Sequence, residues 1–357
     1  MANKQDLLDE ALSRGILTAE QRKQLAELQG AEVNDNEERI KPVGTLNEIF
    51  VTFGVMMLTN ASSGLVALML RNAVDKDSLH HIVLSGVFAA GIAWLIGLWF
   101  HNRKRFRLPI IYCVISAAIS LSTAMFIGLN GGLEHSFFSD DTPVESALAA
   151  LVTAIGVLGA GAARYRIPFL MLPIAVLFTI AVTYAAKHDG GDDVSWRLLL
   201  GGCGLVILAV AISFDLKDPK RVTRWSDFAF WSYIVGSPLF VHSLFLSVLV
   251  RDDNMKEWLA SPILWMAMAA LTIAVTFVGL LLNRRALILS TLIYVSIVIF
   301  RIMAGLSLGA PATLLLITTL LIGVYVTALG SRWTRVRSAF MKGLPPTWGW
   351  VKRLPPY

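Results

Sequence analysis

Three polar side chains stand inside long apolar runs of the sequence: Asn60, His242 and Arg301. Polar and ionisable groups are costly in hydrocarbon, so each marks a ligand or ion site by default. Arg301 can bind an anion or a headgroup phosphate, and His242 can change charge near neutral pH. The alternative is structural, because Arg301 can reach the membrane surface along its own stem and His242 can hydrogen-bond to a neighbouring helix.

A second group of candidates lies in one charged stretch, DLKDPKRVTRWSDFAFW, between two apolar runs. Its candidate residues are Asp215, Asp218, Arg221, Arg224, Asp227 and Trp231. The three carboxylates can hold the two arginines in fixed positions, either as a latch between helices or to present guanidinium groups to phosphates. The plainer interpretations are a basic cytoplasmic loop and, for Asp227 with Ser226, the cap of the helix that follows.

Motifs of enzymes and metal sites are absent from the sequence. There is no phosphate-binding GxxxxGKS loop, no HExxH and no GxSxG, so we predict no catalytic residue. Cys113 and Cys203 lie in apolar runs without the spacing of a zinc site, and we expect no metal or other cofactor. The glycine runs at 156–163 and 201–204 are typical of faces where two membrane helices pack closely.

Composition indicates that lipid surrounds most of this chain. Of its 357 residues 55% are hydrophobic and only 16% are charged, whereas soluble proteins carry about 25% charged residues. About 20 apolar residues cross a bilayer as a helix. Ten segments qualify: 46–70, 82–100, 108–128, 145–163, 167–186, 196–214, 225–250, 261–282, 286–306 and 311–330. The predicted fold is therefore all-α, a polytopic bundle of about ten transmembrane helices.

The distribution of Lys and Arg predicts how the chain threads the membrane. Of the 31 Lys and Arg, 24 fall in the termini and alternate loops and 5 in the remaining loops. Cytoplasmic loops are the basic ones, so we expect both termini in the cytoplasm. The net charge of +6 then reflects basic loops beside anionic headgroups, and we expect no nucleic-acid partner.

This threading places His242 and Arg301 at similar depth. Helices seven and nine both run outward from the cytoplasm, and each of the two side chains lies about five residues past the middle of its helix, or roughly 7–8 Å. Asn60 lies just past the middle of helix one. A shared polar cluster in the outer half of the membrane is therefore geometrically possible.

Three regions follow from these patterns: 1–45, 46–330 and 331–357. The first reads as a small cytoplasmic hairpin of helices 4–13 and 18–29 with a polar linker, and Thr18 with Gln21 forms a capping box. The second is the ten-helix membrane domain. The third is a basic tail rich in Trp and Pro, in which 331–342 can form a helix on anionic lipid or in which the Pro-Pro pairs bind a partner protein.

The run DLKDPKRVTRWSDFAFWSYIVGSPLFVH resembles the signature of a family of polytopic bacterial inner-membrane proteins. Its core is Asp-Pro-x-Arg-x-Thr-Arg-x-Ser-Asp-x-Ala-Phe-Trp, followed by a Pro and a His. The N-terminal LLDEALSRGILTAEQ and the C-terminal RLPPY are also similar to members of that family. The resemblance implies an inner-membrane location but no activity and no catalytic residue.

Three functions remain open on this sequence. The first is a non-enzymatic scaffold or sensor that binds lipid, or another membrane or cytoplasmic protein, at the cytoplasmic face. The second is a secondary transporter for a small solute or ion, which requires a cavity reaching the middle of the membrane. The third is a lipid-modifying enzyme, which requires acids or histidines that converge near one interface.

Overall fold

The computed structural model describes residues 46–73, 80–103, 106–130, 142–188, 193–218, 221, 223–249, 261–305 and 311–342, and residues 14, 16, 18, 20 and 21. Contacts divide the chain into two units, Met1–Lys41 and Pro42–Tyr357. Most of the predicted hairpin and tail residues 343–357 lie outside the described residues.

The predicted capping box in the N-terminal unit is confirmed. The Thr18 backbone N–H donates to Gln21 Oε1 at 3.0 Å, and the Gln21 N–H donates to Thr18 Oγ1 at 3.2 Å. These reciprocal bonds satisfy two of the backbone donors that the start of a helix leaves unpaired.

Eleven α-helices and one 3-10 segment form the described part of the larger unit. The helices are α1 (Leu46–Ala73), α2 (His80–Arg103), α3 (Arg107–Asn130), α4 (Val144–Tyr165), α5 (Met171–His188), α6 (Asp193–Lys217), α7 (Arg224–Leu249), α8 (Pro262–Leu282), α9 (Arg285–Gly305), α10 (Pro311–Ser331) and α11 (Trp333–Lys342). The 3-10 segment is Pro168–Leu170. Each of the ten predicted segments is a helix, and the described residues contain no strand.

Within the described residues, the nine helices α1 to α9 are long and apolar enough to cross a membrane. The tenth predicted crossing, α10, has a shorter apolar stretch, Ala312–Ala328. The outer surface agrees with lipid contact: Ile263, Met266 and Leu316 are 69%, 71% and 72% exposed. Large apolar patches of this kind are unfavourable in water but match lipid tails. The chain is an integral membrane protein with several membrane-crossing helices.

Two buried apolar clusters hold the helices together. One is formed by α1 to α4 with the 3-10 segment, and Cys113, Val114 and Leu170 lie within it. The other is formed by α6 to α9, and Val241 and Phe245 lie within it. The charged stretch joins α6 to α7, so it lies at one end of the second cluster.

Glycines allow α6 and α7 to approach closely. A Cβ atom on Gly204 would lie 2.5 Å from the backbone nitrogen of Phe240 and 2.8 Å from its Cα. A Cβ on Gly202 would have nothing within 4 Å. The predicted role of this glycine run in helix packing is therefore confirmed at Gly204, while Gly202 faces open space.

Candidate functional site

A buried ion pair between Asp215 and Arg284 lies at the centre of the candidate site. Asp215 lies in the last turn of α6, and Arg284 directly precedes α9. Arg284 Nε donates to Asp215 Oδ2 at 3.0 Å, and Arg284 Nη2 donates to Oδ1. The arginine and aspartate side chains are only 1% and 8% exposed. Because both carboxylate oxygens are engaged, the pair fixes orientation as well as distance.

Arg284 also contacts α7. Its guanidinium carbon lies 5.0 Å from the centre of the Tyr233 ring, and Nη2 is 3.5 Å from the carbonyl oxygen of Ser226. Tyr233 is itself buried. A desolvated cation over an aromatic face is a favourable contact. Arg284 therefore connects three helices, the end of α6, the first turns of α7 and the beginning of α9.

Arg221 closes the C-terminal end of α8. Its Nη1 and Nη2 atoms donate to the carbonyl oxygens of Asn283 and Leu282, each at 2.9 Å. Carbonyl groups at this end of a helix lack partners within the helix, and a cation there also favours the helix dipole. Arg221 has φ 54°, a left-handed conformation that is uncommon for a residue with a Cβ. The loop holds Arg221 in this conformation against the end of α8.

Asp218 shapes the turn that presents Arg221. Its Oδ2 atom accepts hydrogen bonds from the Thr223 backbone N–H at 2.6 Å and from Thr223 Oγ1 at 2.7 Å. The Arg221 N–H donates to the Asp218 carbonyl oxygen at 3.0 Å. Asp218 is buried, so these bonds satisfy a carboxylate that water does not reach freely.

The turn between α8 and α9 is also fastened to α11. Asn283 ends α8 with φ 53°, and the N–H groups of Asn283 and Arg284 bond to the carbonyls of Leu280 and Gly279. This is a Schellman arrangement with Asn in the left-handed position. Asn283 Oδ1 accepts a hydrogen bond of 2.8 Å from the Trp333 indole nitrogen.

These contacts form one connected set that we call the charged cluster. Its members are Asp215, Asp218, Arg221, Thr223, Asn283 and Arg284. Among the described residues it joins the α6–α7 loop to the α8–α9 turn and, through Trp333, to α11. The network predicted within the charged stretch, in which three carboxylates hold Arg221 and Arg224, stays a prediction. The carboxylate–arginine pair seen here joins Asp215 to Arg284, an arginine from outside that stretch.

Helix α11 is amphipathic and lies against the end of α8. Trp333, Arg337 and Met341 are buried, and their spacing of four residues places them on one helix face. Arg337 Nε donates to the Leu280 carbonyl oxygen at 3.2 Å, and burial lowers the pKa of Arg337 to about 10. The helix predicted within 331–342 is present over Trp333–Lys342, and its Trp333 side chain is buried with its indole N–H bonded to Asn283. Binding of this helix to anionic lipid stays a prediction.

The remaining candidates of the charged stretch lie along the start of α7. Thr223 directly precedes the helix and occupies the capping position, with Oγ1 3.4 Å from the Trp225 nitrogen. Asp227 is half-buried in the first turn, where an acid is favourable. Arg224 is exposed. Trp231 packs edge-on against Phe169 of the 3-10 segment, with ring centres 4.9 Å apart.

The polar residues inside the helices have separate aromatic partners. His242 Nδ1 lies 2.9 Å from the Tyr294 hydroxyl, and the Arg301 guanidinium lies 5.1 Å from the centre of the Trp265 ring. Asn60 Nδ2 donates to the Met56 carbonyl at 2.8 Å and to the Tyr112 hydroxyl at 3.3 Å. In the described part of the chain these contacts join three helix pairs: α7 with α9, α8 with α9, and α1 with α3. The shared cluster of the three side chains stays a prediction.

Sequence reasoning missed the partners that these residues meet. It counted Arg284 only as one more basic loop residue, and it treated Tyr112, Tyr294 and Trp265 as apolar parts of spans. One signal was available for the turn, because Asn283 followed by two arginines directly after an apolar run is typical of a helix end near the membrane surface.

No group of three or more His, Cys, Asp or Glu side chains that could hold a metal occurs among the described residues. Comparisons with protein-family models, with curated proteins and with solved structures find no match to this chain. The candidate site therefore rests on the geometry of its own residues.

Proposed function

We propose that the chain is a bacterial inner-membrane protein with both termini in the cytoplasm, acting as a non-enzymatic scaffold or sensor. In this proposal the charged cluster faces the cytoplasm and supports a surface that binds anionic headgroups and a membrane or cytoplasmic partner protein. The Lys and Arg distribution supports the orientation. The resemblance of the charged stretch to a bacterial inner-membrane family supports the location.

The main support for this proposal is that the charged stretch forms contacts within the protein. Three of its side chains bond to residues at the ends of helices: Asp215, Asp218 and Arg221. Buried groups held this way stiffen the end of the bundle, because each has a defined partner. A rigid end of the bundle that joins four helix termini is better suited to form a surface that binds other molecules than to form a cleft for a substrate.

The exposed side of this end of the bundle is basic and partly aromatic. Arg335 and Lys342 are exposed on α11, opposite its buried face, and Arg332, directly before the helix, is exposed as well. Near the α6–α7 junction, Lys217 Nζ lies 4.7 Å from the centre of the Trp225 ring, and Trp225 is 43% exposed. Lys, Arg and Trp together favour the headgroup layer of an anionic membrane.

Thermal unfolding of the full-length protein in nanodiscs tests the lipid part of the proposal. We expect the melting temperature to rise as phosphatidylglycerol replaces phosphatidylcholine, and the rise to shrink in the double variant Arg335→Gln/Lys342→Gln. A matched control is Lys187→Gln, an exposed cation at the end of α5 that we place on the periplasmic side. If the control reduces the rise in melting temperature as much as the double variant does, or if the double variant does not reduce it, the result argues against a basic lipid-binding face.

A second candidate, proton-coupled transport, is favoured by the hydrogen bond between His242 and Tyr294 inside the bundle. His242 is half-buried there, and histidines among membrane helices are common elements of proton pathways. Proteoliposomes containing a pH-sensitive dye separate the two proposals. Proton flux that requires His242 and disappears in His242→Phe replaces the scaffold proposal, whereas equal dye responses in both proteins support it.

A further inference from the structure

A groove between three helices lies at the opposite end of the bundle from the charged cluster. It has a volume of about 470 Å³, within the range of small-ligand sites. Its lining residues come from α8, α9 and α10 and include Trp265, Ser296, Arg301, Leu315, Thr318 and Thr319. Trp265 is in the first turn of α8 and Arg301 in the last turns of α9, so the mouth of the groove is near the membrane surface.

The groove is amphipathic along its length. The Arg301 guanidinium lies over the Trp265 ring at one end, and both residue types favour the headgroup layer. Ile297, Leu315 and Ile322 supply apolar walls. A molecule that fills it therefore needs an anionic group at one end and a hydrocarbon chain at the other.

Thr318 supplies an independent sign of a ligand. The other hydroxyl groups in the groove bond to their own helices: Ser296 to the Leu292 carbonyl at 2.7 Å and Thr319 to the Leu315 carbonyl at 2.8 Å. Thr318 is only 5% exposed, yet its Oγ1 has no hydrogen-bond partner within the described residues. A buried hydroxyl without a partner costs free energy, which a ligand acceptor can recover.

We propose that this groove binds one phospholipid of the periplasmic leaflet. Arg301 binds the phosphate, the Thr318 hydroxyl donates to an ester carbonyl oxygen of the glycerol, and one acyl chain lies along the isoleucine and leucine walls. Charge complementarity selects a phosphate-bearing lipid, because a guanidinium makes its strongest hydrogen bonds to phosphate and carboxylate. The site is separate from the basic surface proposed above, which lies at the other end of the bundle.

Three probes added to the delipidated full-length protein in detergent test the site by melting temperature. Dioleoyl phosphatidylglycerol should stabilise the wild-type protein at lower concentration than dioleoylglycerol, which has the same chains without phosphate, and inorganic phosphate should have no effect. Stabilisation by inorganic phosphate alone would indicate a simple anion site and overturn the proposal. Equal stabilisation by dioleoylglycerol would show that the phosphate is not recognised, which also overturns it.

Substitutions assign the effect to the groove. We expect the lipid to bind about tenfold more weakly to Arg301→Gln and about threefold more weakly to the isosteric Thr318→Val, from the usual strengths of charged and neutral hydrogen bonds. Arg103→Gln, at an exposed position in the last turn of α2, is the control and should bind as the wild type does. If Arg301→Gln fails to fold, Thr318→Val still decides, since unchanged binding there contradicts the proposal.

A photo-reactive residue at Leu315, which is 58% exposed and lines the groove, identifies the occupant in the bacterial membrane. Attachment of a phospholipid, identified by mass spectrometry, at a higher yield than from the same photo-reactive residue at Leu316, which is 72% exposed and does not line the groove, supports the proposal. Attachment of another protein, or a phospholipid yield no higher than at Leu316, overturns it.

Discussion

The ion pair between Asp215 and Arg284 should be the most sensitive point in the membrane domain. Asp215→Asn removes the charge but keeps the size, and it leaves the Arg284 cation 1% exposed without its carboxylate. Removing one partner of a buried pair typically costs about 3–5 kcal/mol. The asparagine oxygen can still accept one hydrogen bond, so we expect the lower end, about 3 kcal/mol, in the free energy of unfolding.

A double-mutant cycle measures the pair itself. Arg284→Met should also cost about 3 kcal/mol, since it leaves a buried carboxylate and loses the Tyr233 contact. The double variant Asp215→Asn/Arg284→Met has no unpaired charge, so its cost should be smaller than the sum by about 2–3 kcal/mol.

The assay is reversible unfolding of the full-length protein in mixed micelles, titrated with sodium dodecyl sulfate and followed by circular dichroism. Arg224→Gln is the matched control, because Arg224 is an exposed cation in the same stretch; its effect should stay within about 0.5 kcal/mol. Two results would refute the idea that this pair holds the helix ends together. One is that each single variant lowers the free energy of unfolding by less than about 1 kcal/mol; the other is that the effects of the two single variants simply add in the double variant.

Two further predictions use the same unfolding assay. Gly204→Ala should lower the free energy of unfolding by about 1–3 kcal/mol, because the added methyl group would clash with the backbone of α7. Gly202→Ala should have almost no effect, and equal effects of the two variants would contradict the close approach of α6 and α7. Trp333→Phe should lower the free energy of unfolding by about 1 kcal/mol, because it leaves the Asn283 side-chain oxygen without its hydrogen bond. The same variant should increase the rate of trypsin cleavage within α11, while the control Trp225→Phe should leave that rate unchanged. Unchanged cleavage in Trp333→Phe would show that this hydrogen bond does not hold α11.

Hydropathy and local motifs were enough to predict the helices. Each predicted span is helical because uninterrupted apolar runs have one stable backbone form in lipid. The capping box at Thr18 and the packing glycine at Gly204 were also predictable, since each depends on residues close in sequence or on the size of one side chain. The charged stretch was correctly identified as a connection between two membrane helices, α6 and α7.

The partners of the polar residues could not be predicted in the same way. Asp215 lies 69 positions from Arg284, and which two helix ends meet depends on how the whole bundle packs. Local reasoning therefore paired Asp215 with nearby arginines. The partner of His242 is Tyr294. Hydropathy counts this tyrosine as part of a membrane span, because a hydropathy average does not register that its hydroxyl group can form hydrogen bonds.

The central claim is that the charged cluster lies on the cytoplasmic side of a bacterial inner membrane. Single cysteines at Arg224 and Lys187, two exposed positions on opposite sides by the proposed threading, test it directly with a membrane-impermeant maleimide. The native Cys113 and Cys203 are buried and can stay in place, with the unsubstituted protein as the background control. In intact spheroplasts Lys187→Cys should label and Arg224→Cys should label only after the membrane is permeabilised; labelling of Arg224→Cys from the periplasm would contradict the account.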